Sequence, residues 1–594
     1  MNKEVYDKNI IAFEKRYGKY EKISNNKYES KIEQCKNGLI TLRIDVDGRK
    51  VYLNSRYNPI DEATDYYKDF KKVKHGSVIF VFGFGLSYYI ESLYEKIKTR
   101  ATLSVYEPDK EIFDIVMKNI DICKILENKN ISIIFDQKYI VGEIKNCYYM
   151  IKNIPVYKEL YLKEYKEFME KLKNTLEREE INFNTTEFYK DLWTRNSFHN
   201  LKSILNAYKM SDFKDTFKGK PVIIVGAGPS LIKNIHLLKE IKGKVCIISA
   251  FSASKVLEKN GIKPDFIATI DSLQYGISEF EANIPLIFDV SCNSELLEKH
   301  KVNKILSFRG DKFFEYILGN DIQKDNIIPG GTVTYFAMES ARYLGATEII
   351  LIGQDFSWTK DAIHAKGSVH NDKLYGYKKY HHYNMPVEDM YGNIVYTNDS
   401  FMNYKKSFEE YIKNPPESIK LIQASEGGLK IEGAETRTLR ECIDIYCRDK
   451  FCNIERIINN KFKENSIICE DTKEVFDRVK KTYDEICELK KITKKAVDLS
   501  KKILKNVKYS TSGFYKNNKL IKRLDEIDEK IKENRIILSL MKSYIYDITS
   551  YFVIDEVEDE NINFALMNKR IYTTIDETLE KLINIIKEEM HYEN

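Results

Sequence analysis

No stretch of the 594-residue sequence approaches the roughly 20 consecutive apolar residues that a membrane-spanning helix needs. The opening MNKEVYDKNI is charged where a secretory signal would require an apolar core, so the chain reads as cytoplasmic. An excess of one charge is missing too: 95 Lys and Arg against 90 Asp and Glu leave +5, with no long single-sign tail. That balance speaks against a surface built mainly to neutralise nucleic-acid phosphates and leaves room only for a local basic groove. The 10 cysteines form no disulfide framework. Cys35, Cys123, Cys246 and Cys292 sit in apolar or helical patterns, as reduced core residues do. Cys442, Cys447 and Cys452 come nearest to a cluster, but their five-residue steps are not those of a zinc ribbon. No short-period repeat is present.

What the sequence does contain is core-forming material: 43% hydrophobic and 12% aromatic residues, interleaved with 31% charged ones. At roughly 150 residues per domain, the length predicts two to four ordered domains. Residues 38–54 alternate apolar and polar positions on both sides of Asp47-Gly48, the pattern of a β-hairpin whose turn needs positive φ. Ser77–Phe82 is a continuous apolar run into Gly83-Phe84-Gly85, followed by a helical stretch to about Lys98 and a second run, Thr102–Tyr106, ending at Glu107. This is one βαβ unit.

The same grammar returns at Pro221–Val225, which runs into Gly226-Ala227-Gly228-Pro229-Ser230 and then the periodic segment Leu231–Ile241. Further strand-like runs, Val245–Ser249, Phe266–Ile270, Leu286–Val290, Ile305–Phe308 and Glu348–Ile352, alternate with helical patterns such as Thr332–Leu344, closed by Gly345. Pro155–Met210 reads as a helical link. From about Arg437 glycine nearly vanishes and Leu520, Leu524, Ile527 and Ile531 follow helical spacing. The expected fold is α/β: two Rossmann-like domains with mainly parallel sheets, then a helical C-terminal domain, divided as 1–200, 201–436 and 437–594.

Each glycine turn places backbone amides at a helix start, where they and the helix dipole can hold a phosphate. Neither turn satisfies G-x-G-x-x-G, because Tyr88 and Leu231 stand at the third glycine position, which disfavours NAD. Glu107 could accept ribose hydroxyls in the first unit, as a ligand-binding acid does, or belong to a scaffold. The second unit has no acid after Ser249-Ala250-Phe251, which favours a nucleoside monophosphate or sugar nucleotide over a dinucleotide.

Asp271 and Asp355 end strands at the carboxyl edge, where open α/β sheets bind ligands, although strand-end Asp residues also form caps and turns. Gly330-Gly331-Thr332 makes another glycine turn before a helix, a ligand contact or an ordinary N-cap. His364, His370, His381 and His382 crowd a weakly periodic stretch after Asp355 that reads as a lid, with His364 the first choice for a general base or phosphate contact. Tyr375, Tyr377, Tyr380 and Tyr383 in the same stretch are phosphate contacts or packing residues. No H-E-x-x-H spacing marks a zinc site.

Taken together, VIIVGAGPSL, NGIKPDFIATID and GGTVTYFAMESARYLGATEIILIGQDFSW resemble the motility accessory factor (Maf) flagellin glycosyltransferases. About Asp215–Glu435 resembles the domain these share with a pterin pyrophosphokinase-like group, and FVFGFGLSYYI with Ser55–Ala63 resembles their N-terminal domain. The likeness implies transfer of a nonulosonic acid (pseudaminic, legionaminic or a related keto-deoxy sugar) from its CMP-activated form to Ser or Thr of flagellin, with inversion. It assigns Gly226, Gly228 and Ser230 to the CMP side, Asp271, Gly331 and Thr332 to donor orientation, and Asp355 or His364 to acceptor activation. Ala227 stands where the related sialyltransferases carry asparagine. The helical tail would recognise flagellin or mediate homo-oligomer formation. No cofactor is required, which leaves room for a divalent metal such as Mg²⁺. Two other readings stay open: a pterin pyrophosphokinase using ATP, and a non-catalytic flagellin-binding assembly factor. A weaker one places S-adenosylmethionine at Gly83–Gly85.

Overall fold

The computed structural model describes residues 3–591, apart from 22–27, 71–72, 74–75, 137–148, 274–282, 320–321, 323, 329, 359–363, 369–384, 416–418, 448–452, 470–471, 510–517 and 546–559. The chain forms two compact units, one of residues 1–188, 491–530 and 541–578, the other of 189–490, 531–540 and 579–594. Residues beyond 437 thus contribute to both. Among the described residues no helix is long and apolar enough to cross a membrane.

In the first unit, β1 (Glu29–Gln34), β2 (Ile40–Val46) and β3 (Arg49–Tyr52) form an antiparallel sheet. The β2–β3 turn is the anticipated Asp47-Gly48 pair, with φ of 50° and 78°, so both residues occupy the left-handed region this tight turn demands. The parallel sheet follows the order β6-β5-β4-β7, from β4 (Ser77–Phe82), β5 (Ala101–Tyr106), β6 (Ile131–Ile134) and β7 (Tyr149–Asn153). Every residue of β4 is buried, which is why it reads as an unbroken apolar run.

The second unit is built on a nine-stranded sheet in the order β18-β17-β14-β9-β10-β11-β12-β13-β8, with every pairing parallel. Its strands are β8 (Tyr208–Lys209), β9 (Val222–Val225), β10 (Cys246–Ala250), β11 (Phe266–Thr269), β12 (Leu286–Asp289), β13 (Lys304–Ser307), β14 (Glu348–Ile352), β17 (Lys420–Gln423) and β18 (Glu435–Thr436). A separate hairpin, β15 (Met385–Glu388) with β16 (Ile394–Thr397), lies between β14 and β17 in sequence. The strand order reverses between β9 and β14. In a parallel sheet such a reversal leaves a crevice outside the carboxyl ends of the two strands, because their connections depart to opposite faces.

The expected helix Leu231–Ile241 is interrupted. Only Leu231–Asn234 is α-helical, and Ile235–Ile241 continues as a 3₁₀ turn. Asn234 explains the break. Its buried carboxamide donates to Ala424 O at 2.9 Å and to Glu426 Oε1 at 3.2 Å, fastening the chain to the end of β17.

The helix Val333–Tyr343 packs across β9, β10 and β11. Its far end lies at the amino edge of the sheet, where Leu344 and Gly345 carbonyls accept from Phe217 and Gly219 amides just before β9. Its N-terminus therefore lies at the carboxyl edge. A buried ion pair anchors it: Arg342 Nε donates to Glu339 Oε1 at 2.8 Å and Nη2 to Oε2 at 3.1 Å. Ile328 N and Asn326 O join the same pair and tie the preceding loop to the helix. Removing one partner strands a charge in a dry interior. Glu339→Ala should lower the stability of this unit by about 3 kcal/mol in chemical denaturation, whereas the double change Glu339→Leu with Arg342→Met should recover most of the loss.

Candidate functional site

The turn after β9 meets the turn after β14 at close range. Gly226 N donates to Ile352 O at 2.8 Å, Gly228 N to Gly353 O at 2.7 Å, and Ser230 N to Asp355 Oδ2 at 2.8 Å. The Ser230 hydroxyl closes the set with a short bond to Asp355 Oδ1. A Cβ on Gly226 would sit 2.5 Å from Gly353 O, and one on Gly228 2.6 Å from Asp355 Cγ. Both glycines therefore permit two strand ends to approach, and the amides of Gly226, Gly228 and Ser230 are already engaged within the protein.

Asp355 is buried, and burial pushes its carboxyl up to about 6 against the opposing pull of the Ser230 hydroxyl and amide and the Lys233 ammonium. It is poised to exchange a proton near neutrality. The third wall comes from Ser425-Glu426-Gly427-Gly428 after β17. Leu429 N donates to Asp355 O at 2.8 Å, and Gly428, at φ 79°, presses its Cα to a distance where a Cβ would be 2.4 Å from Asp355 Cα. Lys233 Nζ donates to Glu426 O at 2.8 Å and spans the two turns. The sequence signal for this wall was the glycine pair that follows the run LIQA, and its role was not anticipated.

His364 lies beside the same turn, since its neighbour Ala365 donates to Ala227 O at 2.8 Å. Thr332 caps the helix Val333–Tyr343 by accepting from Tyr335 N at 3.1 Å. Gly331, at φ 80°, precedes it. The first-turn amides of Val333 and Thr334 have no intrahelical partner. They, rather than the amides after β9, are the donors this edge presents to an anion.

Asp271 ends β11, two strands and so about 10 Å from β9. Its Oδ1 accepts from Leu273 N at 3.0 Å, and burial holds the carboxyl above its ordinary value. Farther along, Arg309 Nε and Nη2 donate to Asp289 Oδ2 at 3.0 and 2.7 Å. Burial acts to raise the Asp289 carboxyl, but Arg309 and Ser291 outweigh it and hold it below the usual range. Arg309 directly follows the run ILSF and went unnoticed in the sequence. Gly226, Gly228, Ser230, Asp355 and the backbone at His364 thus come together, while Asp271 stands apart along the edge and Gly331-Thr332 opens the helix that lies across β9 to β11. His370, His381, His382, Tyr375, Tyr377, Tyr380 and Tyr383 lie outside the described residues, as does Cys452. Cys442 and Cys447 are buried, and burial pushes their thiols up to about 12 and about 11. Among the described residues no group of three or more His, Cys, Asp or Glu converges as a metal site would.

The glycine turn of the first unit is closed. Phe84 N and Gly85 N donate to Glu107 Oε2 at 2.7 and 3.2 Å, and the Tyr157 hydroxyl adds a bond at 2.9 Å. A Cβ on Gly83, at φ 98°, would lie 2.5 Å from the Tyr157 ring. The amides and the acid expected to share a nucleotide satisfy each other instead, with Tyr157 over them.

Residues 195–361 match the family model for 6-hydroxymethylpterin diphosphokinase MptE-like proteins. Within the chain, 114 residues are 28% identical to the 6-hydroxymethyl-7,8-dihydropterin pyrophosphokinase of Methanocaldococcus jannaschii, covering 19% of this chain and 44% of that enzyme. The chain thus spans less than half the length of that curated relative. An MptE-like domain forms its centre. Over its whole length the chain has the fold of a Maf glycosyltransferase from Magnetospirillum magneticum AMB-1, with a TM-score of 0.60 and 15% identity over 100% of this chain and 97% of that one.

Glu107 supplies a pH test of the closed turn. Burial raises its carboxyl from 4.5 to about 8 despite bonds from Asp109 and Phe84 amides. A carboxyl raised in the folded state stabilises fully below its unfolded value, and that contribution is lost as pH rises through the folded one. Between about pH 4.5 and 8 the thermal midpoint of the first unit should fall further in the wild type than in Glu107→Gln. An equal fall in both would place the titration elsewhere.

Proposed function

We propose that this protein is a glycosyltransferase that moves a nonulosonic acid from its CMP-activated form to a Ser or Thr hydroxyl of flagellin. The observation that carries the reading is the likeness of the whole chain, both units and the helical tail included, to a Maf glycosyltransferase. A pterin-modifying enzyme accounts for the central segment only. The crevice at β9 and β14 supports the same reading, because it offers a proton acceptor and anion donors on one edge.

In this scheme the CMP phosphate lies against the first turn of the helix Val333–Tyr343, where Gly331 and Thr332 leave the backbone accessible and the helix dipole stabilises the departing charge. Asp271 accepts sugar hydroxyls farther along the edge. Gly226 and Gly228 contribute by keeping the two strand ends together. Asp355, through the hydroxyl of Ser230, takes the proton of the acceptor, with His364 the alternative base beside the same turn. Attack from the face opposite the phosphate inverts the anomeric centre. No cofactor takes part, and the protein partner is engaged by area outside the reacting hydroxyl.

The match of residues 195–361 favours a second reading, diphosphoryl transfer from ATP to a hydroxymethyl pterin. Incubating the purified protein with flagellin and CMP-nonulosonic acid, or with ATP and hydroxymethyldihydropterin, separates the two. Intact-mass increments on flagellin are expected. Turnover of the pterin with no change in flagellin mass would overturn the proposal. Asp355→Asn should lower kcat by about 10²- to 10⁴-fold with little change in CMP affinity. The wild-type pH–rate profile should lose activity as pH falls below about 6, where Asp355 takes up its proton.

A further inference from the structure

The carboxamides of the second unit are, in their buried positions, thoroughly used. Gln423 Nε2 donates to Leu429 O at 2.8 Å while its Oε1 accepts from Ile431 N at 2.9 Å. Asn196 donates to Ser272 and Ser291 carbonyls and accepts from the Ser294 hydroxyl. Gln354 differs. Its backbone is clamped from both sides by the buried Ser425 hydroxyl, which accepts from Gln354 N at 3.1 Å and donates to Gln354 O at 3.4 Å. Its side chain is only partly buried, and its amide has no polar partner among the described residues. The Oε1 atom lies 3.2 Å from where a Cβ on Gly226 would stand, which sets the amide over the turn after β9 at the strand-order reversal.

A rigidly held residue with an idle carboxamide at the ligand-binding edge needs a counterpart from outside the protein. A carboxamide is distinguished by giving and taking a hydrogen bond in one plane. A phosphate only accepts, and it is served better by the free amides of the helix Val333–Tyr343. The complementary group is a planar heterocyclic edge with a donor beside an acceptor, such as N4–H and N3 of cytosine. Resting on the CMP-sugar reading, we infer that Gln354 is a specificity-determining residue that binds the pyrimidine base of the donor nucleotide.

Equilibrium binding of CMP and of cytidine to the full chain tests this in the wild type, Gln354→Ala and Gln354→Met. Both variants should weaken CMP by about tenfold and cytidine by the same factor, with thermal unfolding unchanged because no protein bond is lost. Unchanged CMP affinity would overturn the assignment, and so would a loss for CMP without one for cytidine, which marks a phosphate contact. A wild type that binds neither compound would instead remove the CMP reading itself, and this inference with it.

Discussion

The contact between Ser230 and Asp355 is the constraint on which the central domain turns. Two strands adjacent in space but 123 residues apart at their ends are closed over one another by the amide and hydroxyl of a single serine and one buried carboxylate. Everything nearby is arranged around the shortness of that approach. Gly226 and Gly228 lack side chains because the Gly353 carbonyl and the carboxylate occupy the space, and Gly428 yields to the Asp355 backbone from the other side. The cost of burying the carboxylate is offset by two donors and a nearby ammonium, yet not fully, so its affinity for a proton rises into the physiological range.

The same arrangement divides the labour of the edge. The turn after β9 is structural in its amides and chemical in its carboxylate, whereas the helix Val333–Tyr343 keeps its opening amides available. Glycine-rich turns in parallel sheets are usually read as anion cradles. Here a full accounting of backbone donors assigns that capacity to a different segment, about a hundred residues farther along the chain. The first unit makes the same point more strongly, since Glu107 and Tyr157 consume its turn completely.

The strands were legible because burial on both faces leaves an unmistakable trace. SVIFVF, PVIIV and EIILI each became a strand at or within a residue of the apolar run, and Asp47-Gly48 announced its turn by backbone demand alone. Asp355 was legible as a strand-end acid. Its partner was not, because hydrogen-bond pairing across 125 positions leaves no periodicity to read. Tyr157, lying 72 residues beyond the amide of Gly85 that it meets, was equally silent. The Leu231–Ile241 segment has an apolar rhythm that suits a continuous helix. Only the tertiary bonds of Asn234 reveal why it stops after four residues.

The first compact unit includes residues 1–188 and also 541–578. On the ribosome its opening strands must therefore wait, with β4 and its aromatic surroundings incompletely covered, until more than 350 further residues have been synthesised. A nascent chain of this kind exposes apolar surface for tens of seconds at ordinary elongation rates of about 5–20 residues per second. Its yield in the cell would then depend on holding chaperones more than on the stability of the finished molecule.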